Sequence, residues 1–296
     1  MPEKEPTDEG QYQGPIIDMH IHAYEQSPMF GMTHPPTLRG ETHESVSNGE
    51  ALKQEVLAKF KAHNIVKAVV TSGHLWYDDA PETILIGQSR LDSLRSQFDN
   101  GKLHAVAELS PFYSGILADD PSLSDFFATA KELGIPVGFH IFPGGPNYGI
   151  RIMPRMMGEM RVANAHPQQL EQILVQYPNL KIYIMHGGWP FVDEVKALMY
   201  MYPNLYVDLA VINWILPQQE FNTYVKSLVD SGFGNRMMYG SDQMVWPQLI
   251  STGIETVNNA DFLTMEQKED IFYDNAATFL GLSEEEIQNH KNSYHD

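Results

Sequence analysis

The stretch "GPIIDMHIHAYE" (residues 14–25) decides the fold and raises the first question about function. It predicts a buried β-strand in which Asp18, His20 and His22 occupy every second position. Side chains two residues apart on a strand point to the same side, so these three polar groups share one face. Such a face is either the hydrated side of a strand or half of a metal site. The polar residues of the other strands help to decide between a hydrated face and a metal site.

Further short apolar runs follow, each rich in β-branched or aromatic residues and bounded by Gly, Pro, Asn or Asp. They are residues 65–73, 102–109, 135–142, 180–188, 204–211 and 236–243. Helical spacing of apolar residues lies between them, at residues 52–63, 121–133, 166–177, 191–202 and 218–232. Strands that alternate with helices predict parallel βαβ units. With a short eighth strand at residues 113–117, the chain would close a single-domain (β/α)₈ TIM barrel. A doubly wound open sheet is the alternative, although no glycine-rich phosphate loop follows the first strand.

Length and composition limit the classes of protein that this chain can be. Its 296 residues fit a barrel over residues 15–282, with a flexible tail at 1–14 and a polar tail at 283–296. The absence of cysteine excludes disulfides and thiolate metal ligands. A formal net charge of −19 disfavours nucleic acid and anionic lipid as partners. No apolar run is long enough to span a membrane.

We therefore expect a small-molecule substrate, no nucleic-acid or membrane partner, a cytoplasmic location by default, and a barrel compatible with homodimers. A periplasmic or secreted location fits equally if a leader has been removed.

Imidazoles and carboxylates recur at the carboxyl ends of the predicted strands. Beyond the first strand, the residues at these positions are Glu108, His140, His186, Asp208 and Asp242. In a TIM barrel these ends meet at the active-site face. Any one of these histidines alone is more often a hydrogen-bonded core residue. Several of them at one mouth would be costly to bury without a cation. One divalent metal ion is expected, and zinc fits best, with manganese or iron as alternatives.

Five motifs, in this order and spacing, resemble the amidohydrolase superfamily, in particular its amidohydrolase-2 branch, over about residues 15 to 282. They are "IIDMHIH", "GIPVGFH", "YIMHGGWPF", "MMYGSDQMVWP" and "IFYDNAATFLGL". That branch includes aminocarboxymuconate-semialdehyde decarboxylase and γ-resorcylate decarboxylase. The resemblance implies a (β/α)₈ barrel with a mononuclear site. It implies the metal ligands His20, His22, His140 and Asp242.

The resemblance also implies that His186 faces the substrate and acts in the chemistry. Two departures matter: the region between the third and fourth strands, residues 106–120, is abbreviated, and a lysine is missing. No lysine lies near the end of the proposed fourth strand, so the carbamylated lysine of binuclear relatives is absent. Glu108 stands where some relatives place a metal-binding glutamate, and it is either an additional ligand or a hydrogen-bond partner of one. Asp18 either orients a ligand or caps the strand.

The favoured function is a metal-dependent hydrolase in which a metal-activated water attacks a small ester, lactone or amide, including carboxylate-bearing ones. Asp242 would take the proton of the water, and His186 would stabilise the oxyanion or protonate the leaving group. The alternative is metal-dependent, non-oxidative decarboxylation of an aromatic or unsaturated carboxylic acid, which uses the same residues. A barrel that binds a ligand without turning it over is the remaining possibility.

Candidate substrate-binding residues follow the catalytic strands directly. Trp189 and Trp246 would line an aromatic pocket, or else pack loops against the barrel. In the long insert after residue 142, Tyr148, Arg151 and Arg155 are candidates. Either arginine could capture a substrate carboxylate, or else pair with surface acids.

Overall fold

Parallel strands surround one axis in the part of the chain that the computed structural model describes, residues 10–34, 37–71, 74–145 and 159–292. The strands are β1 Ile16–Ile21, β2 Ile65–Val70, β3 Ile84–Ile86, β4 Val106–Leu109, β5 Val137–His140, β6 Ile182–Met185, β7 Leu205–Asp208 and β8 Met237–Met238. They pair in chain order as a sheet of β1 to β3 and a sheet of β4 to β8. All neighbouring pairs within the sheets are parallel.

Backbone hydrogen bonds join the two sheets at both seams. Between β3 and β4, the N–H of Gln88 donates to the carbonyl of Ala105 at 3.1 Å, and Gly87 bridges Ala105 in parallel register. Between β8 and β1, the N–H of Met19 donates to the carbonyl of Tyr239 at 3.0 Å. The predicted single-domain TIM barrel is confirmed.

The position of one strand was predicted wrongly. Residues 113–117, expected as a strand, begin in a 3₁₀ turn, Pro111–Ser114, which ends at Gly115 with φ +71°. The missing strand is β3, whose three residues are all buried and therefore show no alternation between apolar and polar side chains. The strand that carries Glu108 is consequently the fourth of the barrel and not the third.

Helices cover the outside of the strands. They are α1 Gly49–Ala62, α2 Leu91–Asp99, α3 Ser124–Leu133, α4 Glu171–Gln176, α5 Val192–Met201, α6 Ile212–Ile215, α7 Gln218–Asp230, α8 Gln248–Asn258, α9 Met265–Glu269, α10 Asn275–Leu280 and α11 Glu284–Asn292. In α1, the side chain of Asn48 caps the first turn, and Leu52, Val56 and Phe60 are buried at four-residue spacing. The predicted helix 166–177 is shorter than expected because 3₁₀ turns, the second of which opens at Pro167, precede α4.

Strands buried on both faces explain why the sequence shows continuous apolar runs. All residues of β1, β5 and β6 are buried. One large cluster of apolar side chains packs strands against helices, and a smaller one packs strand residues against the C-terminal helices. In the smaller cluster, the ring of Tyr183 lies 5.6 Å from that of Phe279, and its hydroxyl donates to the carbonyl of Met19 at 3.3 Å.

Both predicted tails are described in part. Of the N-terminal segment, Tyr12 is 8% exposed, stacks on Phe272 and receives a side-chain hydrogen bond from Asn258. At the other end, α11 is a helix with no buried residue. The domain boundaries at residues 14 and 282 remain predictions. No helix among the described residues combines the length and apolarity needed to cross a bilayer.

Gly138 tests how tightly the barrel is packed. A Cβ added there would lie 2.5 Å from Cζ and Oη of Tyr183. We expect Gly138→Ala to lower the free energy of unfolding by about 1–3 kcal/mol, because the rigid ring must shift. Urea denaturation measures this. Gly234→Ala is the matched control, since its added methyl would meet only Val229, at 3.9 Å. Equal stability of the two variants would contradict the packing described here.

Candidate metal centre

The polar residues that follow the strands meet at one end of the barrel. His20 lies within β1 and His22 directly after it; Glu108 lies in β4 and His140 ends β5. From the other half of the barrel come the residue after β6, the last residue of β7 and a residue of the loop after β8, which are His186, Asp208 and Asp242. The barrel thus brings together every residue that the sequence predicted as a metal ligand or catalytic group.

One half of the cluster lies around the first and last strands. Asp242 Oδ1 lies 3.0 Å from His22 Nε2 and 3.7 Å from His20 Nε2. Glu108 Oε2 lies 3.6 Å and 3.7 Å from the same two nitrogens. His20, His22 and Glu108 therefore place three ligand atoms within 4.8 Å of one another, and His20, His186 and Asp242 do the same. This donor set suits zinc, manganese or iron.

The other half lies between β4, β5 and β6. Glu108 Oε1 is 2.5 Å from His140 Nδ1 and 3.6 Å from His186 Nε2. The two imidazole nitrogens are 3.0 Å apart. His140, which the resemblance grouped with His20, His22 and Asp242, therefore lies with Glu108 and His186. The ligand set and the role of each residue remain predictions, but their proximity is now established.

Two buried aspartates fix the backbone on which the histidines stand. Asp18 Oδ1 accepts the N–H of His20 at 3.0 Å and that of Ser241 at 2.9 Å. Asp208 Oδ1 accepts the N–H of His186 at 2.7 Å and that of Ala210 at 3.0 Å. Each carboxylate thus holds its own strand end to a neighbouring one. Of the two roles considered for Asp18, these contacts correspond to capping the strand.

Further contacts orient the rings of the β1 histidines. The second oxygen of Asp208 lies 3.5 Å from His20 Nδ1, and the hydroxyl of Thr71 lies 2.8 Å from His22 Nδ1. In both rings Nε2 is therefore the nitrogen that faces the cluster. Asp208 was visible in the sequence as a carboxylate at a strand end, but nothing in the pattern assigned it a role. Thr71 gave no signal in the sequence.

Burial and mutual attraction shift the pKa values within the cluster. Burial alone would lower the pKa of His20, yet Asp242, Asp208 and Glu108 hold that pKa well above its usual value. Burial would raise the pKa of Glu108, but hydrogen bonds from His140, His186 and His20 hold it well below its usual value. The pKa of Asp242 is lowered against the effect of burial by His20 and His22. The carboxylates are therefore ionised and attract a cation.

Several buried atoms of the cluster make no hydrogen bond within the described part of the chain. They are Asp18 Oδ2, both ring nitrogens of His20, Asp208 Oδ2 and Asp242 Oδ1. Buried polar atoms without a partner usually cost about 1–3 kcal/mol each. A metal ion coordinated by His20 Nε2 and Asp242 Oδ1 would satisfy two of them together. The residues present therefore fit a bound divalent ion.

The backbone is strained where two candidate functional groups leave the barrel. His186 has φ +63° and Asp242 has φ +45°, in the left-handed region that non-glycine residues seldom adopt. Val211, whose branched side chain makes such a conformation more costly still, has φ +64°. Strain of this kind, of order 1–3 kcal/mol per residue, clusters at functional sites.

Two cavities open onto the cluster. The first has mainly aromatic and apolar walls and is lined by His34, Tyr113, His140, Phe142, Gly144, Gly145, His186, Val211, Trp214, Ile215, Asp242 and Met244. The second is more polar, and its lining includes His22, Arg90 and Glu108. The sequence missed most of the first lining because Tyr113, Phe142 and Trp214 look like ordinary core residues.

Of the predicted substrate-binding residues, the structure describes only the two tryptophans, and both pack against residues that line the first cavity. Trp246 is buried behind the first cavity, with its ring 4.7 Å from that of His34. Trp189 lies 6.0 Å from Phe142 and donates to Glu220. Both tryptophans thus support side chains that line the cavity. The other candidates, Tyr148, Arg151 and Arg155, lie outside the described residues.

Asp208 allows a direct test of this scaffold. Asp208→Ala would leave the buried N–H groups of His186 and Ala210 without acceptors, and His20 without its carboxylate partner. We expect a loss of about 2–5 kcal/mol in the free energy of unfolding, measured by urea denaturation in the presence of a chelator. The control is Asp193→Ala, which removes an exposed ion pair with Lys196 and should change the stability by less than about 0.5 kcal/mol. Similar values for both variants would contradict the role given to Asp208.

A curated relative of this chain matches less than half of its length. One curated relative, protein fluG of Emericella nidulans, is 20% identical over 142 residues, which are 43% of this chain. The chain spans 16% of the length of that relative.

Similar solved structures share the fold at low sequence identity. An uncharacterised TIM-barrel protein from Bordetella bronchiseptica has a TM-score of 0.63 and 18% identity, covering 90% of this chain and 98% of its own. A probable 2-pyrone-4,6-dicarboxylic acid hydrolase from Acinetobacter baumannii has a TM-score of 0.59 and 13% identity, and the match covers 90% of this chain and 99% of the hydrolase. A 5-carboxyvanillate decarboxylase from Novosphingobium aromaticivorans, in complex with manganese, has a TM-score of 0.53 and 14% identity. The match covers 76% of this chain and 79% of the decarboxylase. At this identity they show the fold alone. The family model described as amidohydrolase matches residues 17–282, so this chain belongs to the amidohydrolase family.

Proposed function

We propose that this chain is a metal-dependent hydrolase that acts on a small carbonyl compound, an ester, lactone or amide. One observation carries the proposal: Asp242 Oδ1 is buried beside His20 and His22, and it makes no hydrogen bond to any residue that the structure describes. Burial of an ionised oxygen in such a position is costly unless a cation is bound there.

His20, His22 and Asp242 would hold a divalent ion, with Glu108 as the nearest further donor. Zinc is the proposed metal, and manganese or iron would suit the same ligands. When bound, such an ion lowers the pKa of a coordinated water toward about 7 and polarises a carbonyl group.

The chain's own residues supply the proton transfers. Asp242 is ionised, because His20 and His22 lower its pKa against the effect of burial, and its carboxylate can therefore accept a proton at the oxygen that would not hold the ion. His186 lines the first cavity beside Asp242, where its Nε2 can reach a bound substrate. We assign to His186 the role of stabilising the oxyanion or of protonating the leaving group. Asp208 holds the backbone of His186 in place, so the ring has a fixed position before substrate binds.

The cavity walls indicate the shape of the substrate. Tyr113, Phe142 and Trp214 surround the first cavity with aromatic faces and edges. Such walls suit a compact, planar, largely apolar molecule with one polar group directed at the cluster. Arg151 and Arg155, as candidate partners of a substrate carboxylate, remain predictions from the sequence.

Decarboxylation is the second candidate, and the same cavity favours it. Aromatic walls beside imidazoles and carboxylates suit the ring of a hydroxybenzoate as well as that of a lactone. The decarboxylase of similar fold is described as acting on 5-carboxyvanillate and binds manganese. The two reactions differ in their products. Release of CO₂ from an aromatic acid would identify a decarboxylase, whereas uptake of water without CO₂ would identify a hydrolase.

The first test is removal of the proposed base. A panel of lactones, esters, amides and aromatic acids is offered to the metal-loaded protein. For any substrate turned over by hydrolysis, we expect Asp242→Asn to lower kcat by about 10²–10⁴-fold, because the carboxamide cannot accept the proton. Asp193→Asn, at an exposed position on α5, serves as the control and should leave the rate unchanged. Full activity of Asp242→Asn would exclude this residue as the base.

A second test needs no substrate. Zinc added to the chelator-treated protein should raise the Tm, because a ligand that binds only the folded state adds about 2.7 kcal/mol at a hundred times its Kd. His20→Ala/His22→Ala should lose this response, whereas His166→Ala, at a half-buried histidine whose nearest acid is Glu194, should keep it. If neither zinc nor manganese changes the Tm of the wild-type protein, the proposed metal dependence is wrong.

A further inference from the structure

A serine on the outer layer of helices is held between two basic side chains. Ser251 Oγ, on α8, lies 2.8 Å from His63 Nε2 and 3.0 Å from Lys59 Nζ. Lys59 and His63 stand four residues apart at the end of α1, so both side chains reach the same point on the neighbouring helix. None of these three residues lines either cavity that opens onto the cluster at the strand ends.

The direction of each hydrogen bond follows from the chemistry of the partners. An ammonium group only donates, so Ser251 Oγ accepts the bond from Lys59. Burial, together with the charge of Lys59, lowers the pKa of His63 below its usual value, so its ring is neutral at pH 7. The ring proton is assigned to Nδ1, which leaves Nε2 as an acceptor. The hydroxyl of Ser251 therefore directs its own proton at a base.

This arrangement has the parts of an activated nucleophile. A serine hydroxyl reacts poorly unless a base within about 2.6–3.2 Å takes its proton, and His63 Nε2 meets that distance. Lys59 places a positive charge beside the same oxygen, where negative charge would develop during attack. The backbone N–H of His63 donates to the carbonyl of Lys59 at 3.0 Å, which fixes both residues on α1. Nucleophile, base and charged donor are therefore in place before a substrate arrives.

Small molecules have room to reach this serine. Ser251, His63 and Lys59 are each half-buried. A separate cavity of about 510 Å³ begins beside His63, and its lining includes Ile254 and Glu255. These two residues follow Ser251 by three and four positions, so they share its face of α8. The cavity thus extends along the face that carries the hydroxyl.

We propose that Ser251 is a second reactive centre of this chain, a nucleophile that accepts a small acyl group from an activated ester, with His63 as base and Lys59 as donor to the oxyanion. Oγ attacks the carbonyl carbon and forms the new C–O bond while its proton passes to His63 Nε2. The tetrahedral intermediate then collapses, the bond to the alcohol breaks, and the departing alcohol takes the proton from His63. Water, deprotonated by His63 in the same way, releases the acid and restores the serine.

Ser227 offers a matched serine within the same chain. It is half-buried like Ser251, and its Oγ accepts a hydrogen bond from Lys196 Nζ at 3.2 Å. No histidine hydrogen-bonds Ser227 within the described part of the chain. Comparison of the two serines therefore isolates the contribution of the imidazole.

The test uses p-nitrophenyl acetate as the acyl donor and peptide mass spectrometry to locate acetylated serines. In the wild-type protein, with a chelator present, Ser251 should be acetylated at least about 10²-fold faster than Ser227, because only Ser251 has a base. His63→Gln should slow this step by about 10²–10⁴-fold, and Lys59→Met by about 10²-fold. His166→Gln, at another half-buried histidine, should match the wild type.

Two results would overturn the inference: acetylation of Ser251 no faster than that of Ser227, or a rate that His63→Gln leaves unchanged. In either case Ser251 only ties α1 to α8. The comparison of the two serines is made within the wild-type protein, so it holds even if a variant fails to fold, and circular dichroism checks each variant. Neither result bears on the proposed metal-dependent hydrolysis, because the chelator is present throughout.

Discussion

The contact between the first and last strands is the constraint on which the site depends. The N–H of Asp242 donates to the carbonyl of His20 at 2.7 Å, and one oxygen of Asp18 accepts N–H groups from both His20 and Ser241. These bonds close the barrel and, in the same step, set Asp242 beside His20 and His22. Closure of the fold and assembly of half the site are therefore one event. A barrel open at this seam would keep every functional residue and lose their geometry.

The same arrangement occurs twice. Asp18 on β1 and Asp208 on β7 each accept the N–H of the residue two positions ahead and the N–H of a residue on an adjacent strand. In both aspartates Oδ1 accepts two backbone N–H groups at strand ends, whereas Oδ2 makes no hydrogen bond within the described part of the chain. The two aspartates hold the backbone N–H groups of His20 and His186 in place. Hydrogen bonds from the backbone to buried carboxylates thus support the two histidines.

In a TIM barrel, the residues at the carboxyl ends of the strands determine the reaction, and the fold does not. A probable hydrolase and a decarboxylase both share the fold of this chain. In this chain Glu108 stands between two pairs of imidazoles, His20 with His22 and His140 with His186. Fold and chemistry are therefore separable here, as in other TIM barrels.

The sequence by itself determined the barrel, because alternating strands and helices and a chain of this length allow few other arrangements. It also determined the candidate residues, since imidazoles and carboxylates at strand ends are chemically distinctive wherever they occur. It misplaced the third strand, because three fully buried residues carry no periodicity. Only the tertiary structure decided that His140 groups with Glu108 and His186, and that Asp208 supports two histidines. It also decided that Trp214 and Phe142 line the cavity while Trp246 lies behind it. These are relations across distant strands, and their distances are set by the closure of the barrel and not by any local pattern.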